Sequence, residues 1–372
     1  MKVLEGYFMM FVSPSALILL AVFLLLFLQN IRETRIRQLL LGESEDSPLA
    51  FTLSQLFFSL AGGLALSGLA AYFGITFQAY GPIQVIFLFT LFSLTPYFVQ
   101  AHVGIFALFV PALAFLLDPA GRVLEDLGRL YLLVALTFVV QGALLVTDPF
   151  RGYLPVLFRR GKEIHGGFRL AKTYALPAVF AYGAASGSIL GVSLFYLATL
   201  QVFTLKESVM TFKPKEASSI LGGFRMASGF SLLVLLLLSG IFSPLVYVVP
   251  LAGAGLPLLE SRLFRLWENH RSFPFISDKT SLSVLDVRGK TPAHEAGLRT
   301  GQVIVSINGQ EPRYSTLVSY LQRAAHTRTL TLGVKDPRKG EMEITFTILP
   351  EAGTGILVVP PAEYLATAEK DS

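Results

Sequence analysis

The sequence predicts an all-α membrane bundle of about seven transmembrane helices, followed by a small α+β domain. Two observations support this prediction. Hydrophobic residues make up 53% of the 372 residues and charged residues only 15%, well below the roughly 25% charge of an average soluble domain. The apolar residues also gather in long blocks before Leu259, whereas the sequence after Phe273 alternates like that of a soluble fold.

The composition divides the chain into four segments. The expected boundaries are a polytopic transmembrane domain at 1–259, a juxtamembrane interfacial segment at 260–272, the α+β domain at 273–350 and a flexible tail at 351–372. The interfacial segment contains Trp267, a residue type that prefers the membrane–water interface. The tail carries a proline pair and terminal charges, which are typical of a loose chain end.

The individual spans follow from length, because an apolar helix needs about 20 residues to cross the hydrocarbon core. On this criterion the spans are 8–29, 51–73, 82–100, 102–117, 130–147, 175–200 and 227–259. The last segment would extend about 50 Å as one helix, against roughly 30 Å of hydrocarbon. Two crossings of about 15 residues each would be short, so we interpret it as one span that is kinked or tilted at Pro244 and Pro250.

The distribution of Lys and Arg predicts the orientation. Basic residues lie after the first span, in the loop 148–174 and after the last span. With seven spans these regions share one side, which the positive-inside rule makes the cytoplasm, so the C-terminal domain is expected to be cytoplasmic in a bacterial cell membrane. The basic loop 201–226 disagrees, and an eighth crossing would move the domain outside. The net charge of +5 is expected from topology and does not indicate a nucleic-acid partner.

Small residues recur within the sixth predicted span. Gly183, Gly187 and Gly191 stand at intervals of four and would line one face of a helix, which allows a neighbouring backbone to approach closely. We interpret this face as a helix-packing surface, either within the bundle or between two copies of the chain.

Residue patterns for catalysis are missing from the sequence. The absence of cysteine excludes disulfides, thiolate metal sites and cysteine nucleophiles. A zinc intramembrane protease needs two histidines one helical turn apart with a glutamate between them, and the pair His294–Glu295 has no second histidine at that spacing. The segment AASG at 184–187 lacks the first glycine of a rhomboid-like serine motif. We therefore expect neither an enzyme, nor a cofactor, nor a metal site.

Transport is the next class to consider. Ionisable residues within spans are costly and mark ion or substrate paths, and the predicted spans contain essentially none. Their main polar residues are Gln55, Gln141 and the boundary residue His102, which we interpret as partners in hydrogen bonds between helices.

The C-terminal domain has the clearest local pattern, TPAHEAGLRTGQVIVSING at 291–309. Pro292 suits the first turn of a short helix and Gly297 suits its end. The dipeptide NG is a strong signal for a tight turn. A second helix is expected from Tyr314 to Arg323, and alternating segments around the two helices predict strands.

This motif and the order of elements around it resemble a bacterial PDZ domain from Phe273 to Leu349. Gln302 stands where the family usually has aspartate, and the family's glycine-containing carboxylate-binding loop would fall on SFPFISD, which has no glycine. PDZ domains bind an extended peptide as an added strand beside a helix. The resemblance implies Phe275 and Ile276 at the strand-addition edge. It also implies groove residues on the helix, which are Leu317, Val318 and Leu321. Packing in the domain core is the alternative for all five residues.

The whole layout is similar to the polytopic PDZ proteins of Gram-positive bacteria typified by the MinJ family of cell-division topology determinants. The similar segments are NIRETRIRQLLLG, LFFSLAGGLALSGL and LFRRGKEIHGGFRLAKTYALP. The resemblance implies a membrane scaffold that bridges DivIVA-like and MinD-like partners, with MinC bound to MinD. Two alternatives remain, a PDZ adaptor for a separate membrane protease and a transporter with a regulatory PDZ domain.

Overall fold

The structure is a computed structural model of the chain. It describes residues 2–12, 15–41, 47–77, 80–94, 102–109, 127–149, 151–161, 163–184, 193–322, 328–337, 339–348 and 355–364.

Helices make up most of the described part of the first 270 residues, and two short helices follow in the C-terminal domain. The α-helices are α1 (Lys2–Met9), α2 (Ser15–Leu41), α3 (Pro48–Tyr72), α4 (Tyr80–Phe89), α5 (Val103–Leu108), α6 (Leu127–Thr147), α7 (Pro214–Ser239), α8 (Val248–Asn269), α9 (Pro292–Glu295) and α10 (Tyr314–Gln322). Two 3₁₀ turns lie at Thr90–Leu94 and Ser243–Tyr247.

Strands occur in both halves of the chain. The first sheet contains β1 (Thr76–Phe77), β2 (Tyr153–Arg160), β3 (Glu163–Ala184) and β4 (Ser193–Val209). The second contains β5 (Leu282–Val287), β6 (Val303–Ile307), β7 (Arg328–Asp336), β8 (Gly340–Ile348) and β9 (Ile356–Val358), in the order β8-β7-β6-β5-β9.

Among the described residues, five helices are long and apolar enough to cross a membrane. They are Ala16–Leu40, Pro48–Tyr72, Leu127–Thr147, Pro214–Ser239 and Ser243–Asn269. The count of about seven spans is therefore not confirmed. The predicted spans 82–100 and 102–117 correspond to shorter pieces, α4 with its 3₁₀ turn and α5, and the rest of both falls outside the described residues.

The sixth predicted span, 175–200, is not a helix. Its described parts belong to β3 and β4, which pair antiparallel from Phe168↔Val209 to Ala184↔Ser193. Gly183 therefore lies in a strand opposite Leu194, and Gly187 and Gly191 lie outside the described residues. The prediction failed because a long run that is apolar on every side suits a buried strand as well as a buried helix.

Helix side chains satisfy the backbone of this hairpin where no third strand does. On the β3 edge, Ser59 and Ser67 accept the N–H groups of Ala175 and Val179, at 3.1 and 2.9 Å. On the β4 edge, Thr90 accepts the N–H of Val202 at 2.8 Å. Backbone groups at the edges of such a hairpin need hydrogen-bond partners if the hairpin lies within a membrane, and these hydroxyl groups accept three of them.

The seventh predicted span, 227–259, is divided between two helices, each long and apolar enough to cross a membrane. The chain breaks around the 3₁₀ turn Ser243–Tyr247, and α7 and α8 each continue well past the predicted limits. They run antiparallel, with Arg225 on α7 in an ion pair with Glu260 on α8, at 2.8 Å between Nε and Oε2. Both side chains are buried, so two charged residues that lie just outside the predicted span are inside the helices.

The C-terminal domain packs around its own apolar core, which includes Leu282, Val284, Ile304 and Leu332. Strand β9 pairs with β5, and Val359 directly after it is fully buried. Part of the predicted flexible tail therefore belongs to the domain. The predicted interfacial segment, in turn, is largely the last part of α8.

Candidate peptide-recognition site

The 291–309 motif folds as its residue types require. The Thr291 side chain caps α9 by accepting the N–H of His294 at 3.4 Å, and Pro292 occupies the first turn, where the missing N–H has no effect. Gly297 ends the helix at a φ of 104°, a conformation that side chains strongly disfavour. Asn308 and Gly309 both take positive φ in the tight turn. The local prediction for this motif is confirmed.

Gln302, the departure from the PDZ pattern, has a structural role. Its side chain is 3% exposed and makes hydrogen bonds at both ends. Oε1 accepts the N–H of Arg299 at 2.8 Å, and Nε2 donates to Asp336 Oδ2 at 2.8 Å. An aspartate could only accept, so glutamine is the residue type that joins the loop before β6 to the end of β7.

The three helix residues assigned to the groove differ in their environment. Leu317 is 0% exposed and belongs to the domain core. Val318 and Leu321 are partly exposed, and Leu321 packs against the edge of the same core. Leu317 therefore stabilises the domain, and Val318 and Leu321 are the two of the three that retain exposed surface. Their role in binding a peptide stays a prediction.

The segment Phe275–Ile276, assigned from sequence to the strand-addition edge, contacts the part of the chain that precedes the C-terminal domain. Ile276 pairs antiparallel with His165 near the start of β3, and the N–H of Gly166 donates to the carbonyl oxygen of Phe275 at 2.8 Å. The contact is an isolated β-bridge with this one backbone hydrogen bond. It lies where the resemblance places the strand-addition edge of a PDZ domain, and the contacting segment comes from the same chain.

Apolar side chains seal this contact. Phe275 is 1% exposed and packs with Ile164, Phe168, Leu285 and Val359 in one buried cluster. The rings of Phe168 and Phe275 meet edge to face, with centroids 5.5 Å apart, a favourable arrangement for an aromatic pair. We call this contact the hairpin–domain interface.

Gly166 is at the centre of the hairpin–domain interface. A Cβ atom on Gly166 would lie 2.6 Å from Val359, 2.8 Å from Leu285 and 3.0 Å from Phe275. All three are side-chain atoms of the C-terminal domain, so a larger residue at this position requires these side chains or the domain itself to shift.

Charged groups surround the interface. The guanidinium of Arg160 lies over the Phe273 ring at 5.1 Å, and the side chain of Lys213, just before α7, lies against Gly301. Burial raises the pKa of the Asp286 carboxyl above its usual range, while the positive charge of Arg37 on α2 acts in the opposite direction. The domain thus contacts the end of the bundle through several separate elements.

The hairpin residues of this interface were not predicted from sequence. The segment that contains His165, Gly166 and Gly167 was noted for its charge and for its similarity to the MinJ family, and not for a contact with the C-terminal domain. A glycine pair within an otherwise bulky, basic segment is a signal for close backbone approach, although it does not identify the partner.

Comparison with known proteins agrees with the C-terminal fold. Residues 283–335 match the family model described as PDZ domain. No solved structure matches the chain. A PDZ domain is therefore present at the C-terminal end, and its assigned strand-addition edge contacts the chain's own β3.

Proposed function

We propose that this chain is a multi-pass membrane adaptor that acts by binding proteins and not by catalysis. PDZ domains are protein-interaction modules, and this one follows five helices that are compatible with a membrane protein. The observation that supports the proposal most strongly is the direct pairing between the PDZ domain and β3, because it fixes the recognition domain against the membrane-embedded part.

The proposed orientation places the PDZ domain in the cytoplasm of a bacterial cell. The hairpin removes the conflict over the basic loop 201–226, because β4 returns to the end of the bundle from which β3 starts. Lys206 lies opposite Ala171 in that hairpin, and Lys213 contacts the PDZ domain. These lysines therefore share one end with the basic loop 148–174, as the positive-inside rule requires.

The proposed partners are the cell-division proteins implied by the MinJ resemblance. In this proposal the chain bridges a DivIVA-like protein and a MinD-like protein with its MinC inhibitor, in a Gram-positive Min system. Regulation of a separate membrane protease is the alternative. It would require a PDZ groove that takes a free C-terminus, and the glycine-free SFPFISD segment argues against that mode.

A partner strand must compete with β3 for the Phe275–Ile276 edge, or bind beside Val318 and Leu321. Only molecules with a free edge can bind a partner strand. The apparent affinity for the partner is therefore the intrinsic affinity multiplied by the fraction of molecules whose edge is free. Replacing Gly166 with leucine should free the edge and raise the capture of partners about tenfold, which corresponds to roughly 1.4 kcal/mol.

The experiment is in-cell crosslinking followed by identification of the captured proteins. Gly289→Leu is the matched control, because Gly289 is exposed and a Cβ there meets nothing within 4 Å. Capture of envelope proteases alone, without division proteins or septal localisation, would overturn the cell-division proposal. Equal capture by both variants would show that partners do not use the Phe275–Ile276 edge.

A further inference from the structure

We propose that the cavity bounded by α2, α3, the end of α6 and the strands β2 and β3 is a binding site for a phosphate group, from a lipid headgroup or a soluble phosphate. The empty space of the cavity, including the part that is open to solvent, is about 550 Å³. Three basic side chains line it, those of Arg37, Arg151 and Lys172. This site is separate from the PDZ edge, and neither the PDZ match nor the proposed partners assign a ligand to it.

The two arginines have hydrogen-bonding capacity left over. Nε of Arg37 and Nη1 of Arg151 are buried and have no hydrogen-bond partner among the described residues. A buried unpaired donor is unfavourable, so a ligand that accepts from both arginines would remove this cost. Arg37 is also held in place, because its guanidinium lies over the Tyr153 ring at 4.4 Å.

The carboxylates of the cavity do not saturate its positive charge. Asp148 bonds Arg151 Nε at 3.0 Å and accepts from the Tyr174 hydroxyl at 3.0 Å. Lys172 is 3% exposed and donates to neutral oxygens, the Asp148 carbonyl and the Ser218 hydroxyl. With Glu33 as the second acid, the lining has three basic and two acidic groups. Asp286 of the C-terminal domain, outside the lining, also attracts Arg37, so the excess positive charge lies on the Arg151 and Lys172 side of the cavity.

The chemistry and the position of the cavity both favour phosphate. Guanidinium groups bind phosphate oxygens with paired, charge-assisted hydrogen bonds, and a lysine adds a point charge. The cavity lies near the end of α2, the start of α3 and the end of α6. In a chain whose apolar helices cross a bilayer, this is the level of the lipid phosphates.

The experiment uses the purified full chain in detergent. One arm measures by native mass spectrometry how much phosphatidylglycerol the protein retains. The other measures the rise in melting temperature of the delipidated chain on addition of inorganic phosphate. Arg37→Gln should weaken about tenfold the binding of the probe that binds, because the variant loses the charge-assisted hydrogen bonds of the guanidinium. Arg37→Lys should restore part of the binding.

The matched control is Arg35→Gln, which removes the same charge from an exposed position on the same helix, outside the cavity lining. Melting without ligand checks that each variant folds. Lipid retention that depends on Arg37 identifies a headgroup site, and a phosphate-dependent shift that depends on Arg37 identifies a soluble ligand. No binding of either probe, or an equal loss in Arg35→Gln and Arg37→Gln, would overturn the proposal.

Discussion

Replacing Glu260 with glutamine is expected to destabilise the full chain by about 3–5 kcal/mol, the usual effect of removing one partner from a buried ion pair. Arg225 and Glu260 are both buried, and Arg225 lies over the Phe138 and Phe203 rings at 5.4 and 5.2 Å. The variant leaves the Arg225 charge in an apolar setting without a carboxylate.

The fluorescence of Trp267, the one tryptophan of the chain, reports this unfolding during a titration with sodium dodecyl sulfate in mixed micelles. Trp267 packs on Phe212 and Phe224, so its emission follows the docking of α8. The double variant Arg225→Met with Glu260→Leu removes both charges and should recover stability to within about 1–2 kcal/mol of the natural chain. If Glu260→Gln alone is neutral, the pair does not hold α7 to α8.

The second large effect is expected at Gly63. Its Cα faces the β3 backbone so closely that a Cβ would overlap the carbonyl oxygen of Pro177. Gly63→Ala must therefore push the hairpin away from α3, at a cost of about 1–3 kcal/mol or more. It should also break the hydrogen bond from the Val179 N–H to Ser67, since that bond depends on the same approach.

Gly68 provides the control on the same helix. It is exposed and a Cβ there meets nothing within 4 Å, so Gly68→Ala should be neutral or stabilising by up to about 1 kcal/mol, because alanine favours the helix. The same titration in mixed micelles compares the two variants. Equal midpoints for Gly63→Ala and Gly68→Ala would contradict the packing of the hairpin on α3.

The PDZ domain was the part of the fold most readily predicted from sequence. Its signals are local: Pro292 and Gly297 bound a short helix, and the turn at Asn308–Gly309 is set by backbone preference alone. Such signals do not depend on distant contacts. Gln302 looked like a defect in the motif because its two hydrogen bonds reach residues that only the folded domain brings together.

The part of the chain before the PDZ domain was predicted less well, for a physical reason. Hydropathy reports burial and not the type of backbone structure, so the apolar run at 175–200 was assigned to a helix by its length. Pro177 was a signal against that assignment, since proline within a helix is costly. β3 instead pairs with β4, and Ser59 and Ser67 on α3 accept N–H groups on its other edge. No pattern within residues 175–200 reveals these two serines.

Sequence reasoning predicted only one of the two segments that meet at the candidate site. Sequence reasoning assigned Phe275 and Ile276 to an edge that accepts a strand, and the structure places them against His165 and Gly166. A contact between residues more than 100 positions apart has no periodic signal in a single sequence. The role of these residues in binding a partner stays a prediction.

The central claim is that the PDZ domain is docked on its own hairpin, and a crosslink between His165→Cys and Ile276→Cys tests it most directly. The chain has no cysteine, so an introduced pair is free of competing thiols, and opposed residues of antiparallel strands lie close enough for a disulfide. Ser319, exposed on α10, provides the control pair His165→Cys with Ser319→Cys.

Mild oxidation of membranes that contain the full chain should produce an intramolecular disulfide in most molecules with the 165–276 pair and in few with the 165–319 pair. Electrophoresis without reductant measures both fractions. Equal, low crosslinking of the two pairs would contradict the docking of the PDZ domain on the hairpin. It would mean that the Phe275–Ile276 edge is free when the protein is in its membrane.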